Sequence, residues 1–92
     1  MKISQQKREK ISEQVLVLLY SKSPQAFFTS QIAQEIARDE EFIKGIMLEL
    51  KKNNLVFEIK KNPKGIPYLK RSRWRLSDKA YSACKKHQSN YD

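Results

Sequence analysis

The sequence predicts a mainly α domain with a small antiparallel hairpin: a three-helix core, a two- or three-stranded sheet and a short C-terminal helix. Three observations predict it. Residues 32–56 hold two segments of helical apolar spacing, Ile32, Ala33, Ile36, Ala37 and then Ile43, Ile46, Met47, Leu50. Only a short polar break at Arg38-Asp39 parts them, so the two helices must meet at a sharp turn. Beyond Asn53-Asn54 the apolar period drops to two, and two alternating segments flank the turn-forming run Asn62-Pro63-Lys64-Gly65-Ile66-Pro67.

Ninety-two residues suit one small domain, expected here over 1–92 with a core at about 10–87, a polar N-terminal extension and a frayed C-terminal tail. A hydrophobic content of 39% supports one core and not two. The net charge of +9 favours an anionic partner. No apolar run is long enough to span a bilayer, and the N-terminus has no apolar signal region, so no membrane role is expected. The single cysteine, Cys84, has no internal partner and fits a reducing cytoplasm.

Taken in order, the first helix is expected from Ser4 to Ser21, with Ile11, Val15, Leu18 and Leu19 inward and Leu16 and Tyr20 widening the stripe. Pro24 closes that segment, since a residue before proline avoids helical backbone. Ala26-Phe27-Phe28 fits either a one-bridge strand pairing back on the hairpin or a hydrophobic staple at the next helix. Thr29 is the expected N-cap of the second helix, which ends near Ala37. Asp39 is the expected N-cap of the third, with Glu40 and Glu41 matching the positive end of its dipole. That helix runs to Asn53, a residue type that tolerates left-handed backbone. The strands are expected over Leu55–Lys61 and Tyr68–Leu76. Trp74 and Leu76 face inward, and Arg71, Arg73 and Arg75 face outward. Ser77 caps a last helix from Asp78 to His87.

This order, with Thr29-Ser30-Gln31-Ile32-Ala33, Leu50-Lys51-Lys52-Asn53-Asn54-Leu55-Val56 and Trp74-Arg75-Leu76-Ser77, resembles the winged helix-turn-helix superfamily of small prokaryotic transcription regulators. The resemblance implies double-stranded DNA as partner, a homodimer through the first and last helices, and a cytoplasmic, nucleoid-associated protein. It implies that the third helix meets the major groove through Lys44, Leu48, Lys51 and Lys52. The wing would hold the backbone through Lys60, Lys61, Lys64, Lys70, Arg71, Arg73 and Arg75, and Thr29, Ser30 and Gln31 would offer helix-terminal amides to a phosphate.

The charge is unevenly placed. Residues 38–50 hold Arg38 and Lys44 against Asp39, Glu40, Glu41 and Glu49, a net of −2. Residues 51–79 hold ten Lys and Arg against Glu58 and Asp78, a net of +8. The wing is therefore expected to supply more affinity than the third helix, through phosphate neutralisation. The acidic third helix keeps a second reading open: a protein-interaction domain whose partner meets Glu41, Gly45 and Leu48. Gly45 in mid-helix has a cost, and close approach of another backbone is one reason to accept it. The arginine alternation reads otherwise as a solvated face that discourages edge pairing, and Trp74 as core. No catalytic constellation is present, and Cys84 with His87 makes half a metal site, so no enzyme, cofactor or metal is expected.

Overall fold

The computed structural model describes residues 4–89. Helix α1 spans Gln5–Ser21, strand β1 Phe27–Phe28, α2 Thr29–Ile36, α3 Glu40–Lys52, β2 Val56–Ile59, β3 Arg73–Leu76 and α4 Asp78–Ser89. The sheet order is β1-β3-β2, antiparallel throughout, so β3 is the central strand. The helices stand on one face of this sheet and the core lies between them.

Each helix starts and stops for a local reason. The Ser4 hydroxyl accepts the Lys7 N–H at 3.2 Å and opens α1. The Asp39 carboxylate accepts the Phe42 N–H at 3.2 Å and opens α3. Ser77 Oγ accepts the Ala80 N–H at 3.1 Å and opens α4. Helix α2 ends at Ala37 in the left-handed region, φ 61°, which makes the sharp turn between α2 and α3. After α3 the left-handed residue is Asn54, φ 62°, one position beyond the Asn53 expected for that role.

The expected stripe of α3 is fully realised: Ile43, Ile46, Met47 and Leu50 are buried. They pack with Ile11, Val15 and Leu19 of α1, Ile32 and Ala33 of α2, Val56, Trp74 and Leu76 of the sheet and Ala80 of α4. On α1 the buried positions repeat every four residues, leaving Leu16, Leu18 and Tyr20 at the edge and Val17 in solvent. Trp74 is 1% exposed at the centre of the middle strand.

Three expectations are corrected. Thr29 is the first residue of α2 and does not cap it: its Oγ1 accepts the Trp74 indole N–H at 2.8 Å, and the residue before the helix is Phe28, whose N–H donates to the Gln31 side chain at 2.8 Å. The apolar pull of Phe27 and Phe28 toward the sheet decides this. They pair with Trp74 and Arg73 and form a true strand, which draws the helix start forward. The hairpin strands are also shorter than alternation suggested. Residues 60–72 form an irregular wing whose ladder is reduced to one bridge, Lys61 with Pro67, because two prolines remove ladder donors there. Helix α4 continues past His87 to Ser89, so the start of the tail expected to fray is helical; Asn90, Tyr91 and Asp92 lie outside the described residues.

The Thr29–Trp74 bond is partly buried and joins the first turn of α2 to the central strand. Thr29→Val keeps the shape and leaves the indole N–H unpartnered, so it is expected to lower stability by about 1–3 kcal/mol in urea unfolding.

Candidate nucleic-acid interface

An open cleft of about 410 Å3 lies where the start of α2, the first turns of α3 and the base of the wing converge. Its walls include Thr29 and Ser30, then Glu40, Glu41 and Lys44, then Lys70, Arg71 and Ser72. The chain brings these together by two backbone-level ties. The Thr29 N–H donates to the Ser72 carbonyl at 3.2 Å, and the left-handed turn at Ala37 swings α3 beside α2. Phe28 has no side-chain acceptor, so the first turn of α2 carries no side-chain cap, and Ser30 of that turn lines the cleft. Uncapped amides at a helix start attract anions.

The wing is irregular but tied. Asn62 organises its tip: its carbonyl accepts the Gly65 N–H, its N–H donates to the Ile66 carbonyl, and its Oδ1 accepts the Lys64 and Ile66 amides at 2.9 and 3.0 Å. Gly65 takes φ 84°, which a side chain would resist. The Tyr68 N–H then donates to the Lys60 carbonyl at 2.8 Å.

The arginines lie against aromatic rings. Arg71 sits 5.2 Å over Phe28, Arg73 5.8 Å over Tyr68 and Arg75 4.9 Å over Phe57, and Phe28 meets Tyr68 edge-on at 5.2 Å. Phe28, Ile59, Phe57, Arg73 and Arg75 share the outer sheet face by register. Cation–π contact holds each guanidinium in one place and lowers the ordering cost of a later phosphate contact. Of the three, Arg71 lines the cleft, while Arg73 and Arg75 are half-buried on the sheet. Arg75 also turns back toward the Leu76 carbonyl, 3.4 Å away.

Glu58 joins the third helix to the wing. Its side chain is 10% exposed. One oxygen accepts Lys51 Nζ at 2.8 Å and lies 3.9 Å from Lys60 Nζ; the other accepts the Ser72 hydroxyl at 2.6 Å. Burial alone would raise the pKa of this carboxyl, but the Lys51 and Ser72 hydrogen bonds and the Lys51 and Lys60 charges hold it below its ordinary value. Lys51 and Lys60 are thus shared between Glu58 and any external anion, whereas Lys52, Lys61 and Lys64 stand in solvent.

On α3, Lys44 faces the cleft and Leu48 is 46% exposed. Gly45 does not meet another backbone. Arg8 of α1 covers it, pairing with Glu49 at 2.9 Å and lying 5.6 Å over the Phe42 ring. A Cβ on Gly45 would sit 3.7 Å from Arg8 Nη2, an ordinary contact. Neither Glu58 nor Arg8 stands out in the sequence, since their partners are far along the chain; the aromatic residues spaced among wing cations are the one readable signal for the stacking.

The folded Glu58 pKa is depressed, so its contribution is present above the ordinary carboxylate range and is lost as pH falls through the folded value. Glu58→Gln is expected to cost about 1–3 kcal/mol at neutral pH, with the gap to the parent closing in acid, as read by urea unfolding across pH. Gly45→Ala is expected to stabilise by about 0.5–1 kcal/mol, measured the same way.

No family model matches the sequence, and no curated protein matches it. Solved structures do. One is a zinc-responsive MarR family member, Lactococcus lactis ZitR, at 15% identity and a TM-score of 0.66, covering 99% of this chain and 55% of that one. A second is a MepR mutant from a multidrug-resistant S. aureus isolate, at 13% identity and a TM-score of 0.70, covering 84% of this chain and 53% of that one. A third is the PcaV transcriptional regulator from Streptomyces coelicolor with its natural ligand, at 19% identity and a TM-score of 0.62, covering 84% and 49%. The chain spans about half the length of these structures. Among the described residues no three His, Cys, Asp or Glu side chains gather as a metal site, and no helix is long and apolar enough to cross a membrane. Helix order, the sharp α2–α3 turn, the three-stranded sheet and the shared backbone make this a winged helix-turn-helix fold.

Proposed function

We propose that the chain binds double-stranded DNA as a winged-helix transcription regulator. One observation carries the reading: the uncapped start of α2 at Ser30, Lys44, Lys70 and Arg71 line a single open cleft on a chain of net charge +9. In this reading a phosphate sits at the Ser30 and Gln31 amides. Helix α3 lies along the major groove with Lys44, Leu48 and Lys52. Arg71, Lys70, Lys64 and Lys61 take the backbone from the wing side, and Lys51, Lys60, Arg73 and Arg75 add to the field. Thr29 serves the fold, because its N–H and hydroxyl are both used inside the protein. That the structural neighbours include a MarR family member and a named transcriptional regulator supports the same reading.

A second copy fits against α1 and α4. Val17 is 64% exposed on α1, Tyr81 is exposed on α4, and Tyr81 stacks near Tyr20 with ring centroids 5.2 Å apart. Two copies so joined would present two clefts to one duplex. The acid pair Glu40-Glu41 in the cleft wall, with exposed Leu48, favours the alternative of a protein partner on α3.

Fluorescence anisotropy on a random-sequence duplex across a salt series separates the two. Three to five phosphate contacts give a log–log slope of about −3 to −5. Lys70→Ala/Arg71→Ala is expected to reduce that slope by about 1 to 2 while leaving the fold intact. Absence of duplex binding at low salt and micromolar protein would reject the DNA reading and leave the α3 face as a protein contact.

A further inference from the structure

We propose that Leu69 is an apolar wedge which enters the minor groove and partly unstacks a base step. This rests on the DNA-binding reading above and adds a deformation of the duplex to it.

Leu69 is 100% exposed, so it makes no packing contact with its own chain. It is nonetheless held in place by its neighbours. On one side Tyr68 is anchored by its N–H to the Lys60 carbonyl and by its ring against Phe28. On the other side Lys70 and Arg71 line the cleft, with Arg71 stacked over Phe28. Leu69 therefore projects from a fixed segment at the wing edge of the cleft, among the cations most suited to phosphate. Ile66, 59% exposed at the wing tip, is a second apolar residue on the same basic wing.

A leucine there cannot pair with phosphate or hydrogen-bond a base edge. Against a duplex its favourable use is contact with sugar edges and base faces, which a wedge between base pairs supplies. The minor groove, about 6 Å wide, admits one aliphatic side chain flanked by cations. Pyrimidine–purine steps unstack most readily, so the wedge carries a preference for TA steps.

The test uses a short duplex with one central TA step whose adenine is 2-aminopurine, a base that brightens on unstacking. The parent protein is expected to brighten it several-fold. Leu69→Ala is expected to bind with the same salt slope, about tenfold more weakly, without brightening. Leu69→Lys is expected to bind through its added charge and also leave the probe dark. Both variants are expected to keep the parental Tm, since the side chain packs on nothing. Brightening that survives in Leu69→Ala, or duplex binding by the parent with no brightening, overturns the wedge while the DNA reading stands. No binding by the parent at low salt removes both. Leu69-dependent binding to phosphatidylserine vesicles with no unstacking of the duplex would assign Leu69 to an anionic membrane and overturn the wedge.

Discussion

Burial of Trp74 in the middle strand is the constraint on which the rest depends. β1 has two residues and β2 four, so neither forms a sheet alone. Both pair with β3, and Trp74 lies opposite Phe27 on one side and Glu58 on the other. Its ring fills the space beneath the helices, while its one polar atom must find a partner away from water. Thr29 supplies that partner. The start of α2 is thereby tied to the strand from which the wing emerges. The backbone bond from Thr29 to Ser72 repeats the tie two residues earlier in the chain.

From this point the wall of the cleft follows. Ser72 receives Thr29 through its carbonyl and donates its hydroxyl to Glu58. Glu58 in turn holds Lys51 at the end of α3. The chain of contacts runs from α2 through Ser72 at the base of the wing and Glu58 of β2 to the end of α3, so these elements are linked through two polar side chains. An ion pair on an open surface contributes little; here the carboxylate is nearly enclosed and accepts from two donors, while Lys51 stays half exposed, so the Ser72 bond and the carboxylate's burial set the strength of the junction.

Much of the fold was legible before the structure. The apolar stripe of α3, the Asp39 and Ser77 caps and the inward Trp74 and Leu76 follow from period and cap chemistry acting over a few residues. The misreadings share a cause. Thr29 has the right chemistry for a cap, yet a buried indole 45 positions away takes its hydroxyl. The alternation of residues 68–72 predicts strand, yet Pro67 removes a ladder donor just before it and Ser72 gives its carbonyl to Thr29 of α2, so regular pairing begins only at Arg73. In the candidate site the cations were readable as charge. Their grouping was not, because stacking on Phe28, Tyr68 and Phe57 and pairing with Glu58 are contacts between distant segments.

The electrostatics of the proposed interface work on two length scales. At physiological salt, charges are screened beyond about 8 Å, so a distant polyanion meets the summed surface, which is dominated by the wing. At contact, local groups decide. There the cleft offers Lys44, Lys70 and Arg71 against Glu40 and Glu41, a nearly balanced set. Glu40 and Glu41 are retained at the start of α3 because the helix dipole favours them, and the Asp39 cap adds a third carboxylate. In the proposed mode attraction therefore comes from the wing, and the third helix imposes a local penalty on any anion placed without regard to register. A binding mode that seats phosphate at the α2 amides and at Arg71 avoids that penalty; one centred on the first turn of α3 does not. Selectivity in such an interface arises as much from where the anion is repelled as from where it is held.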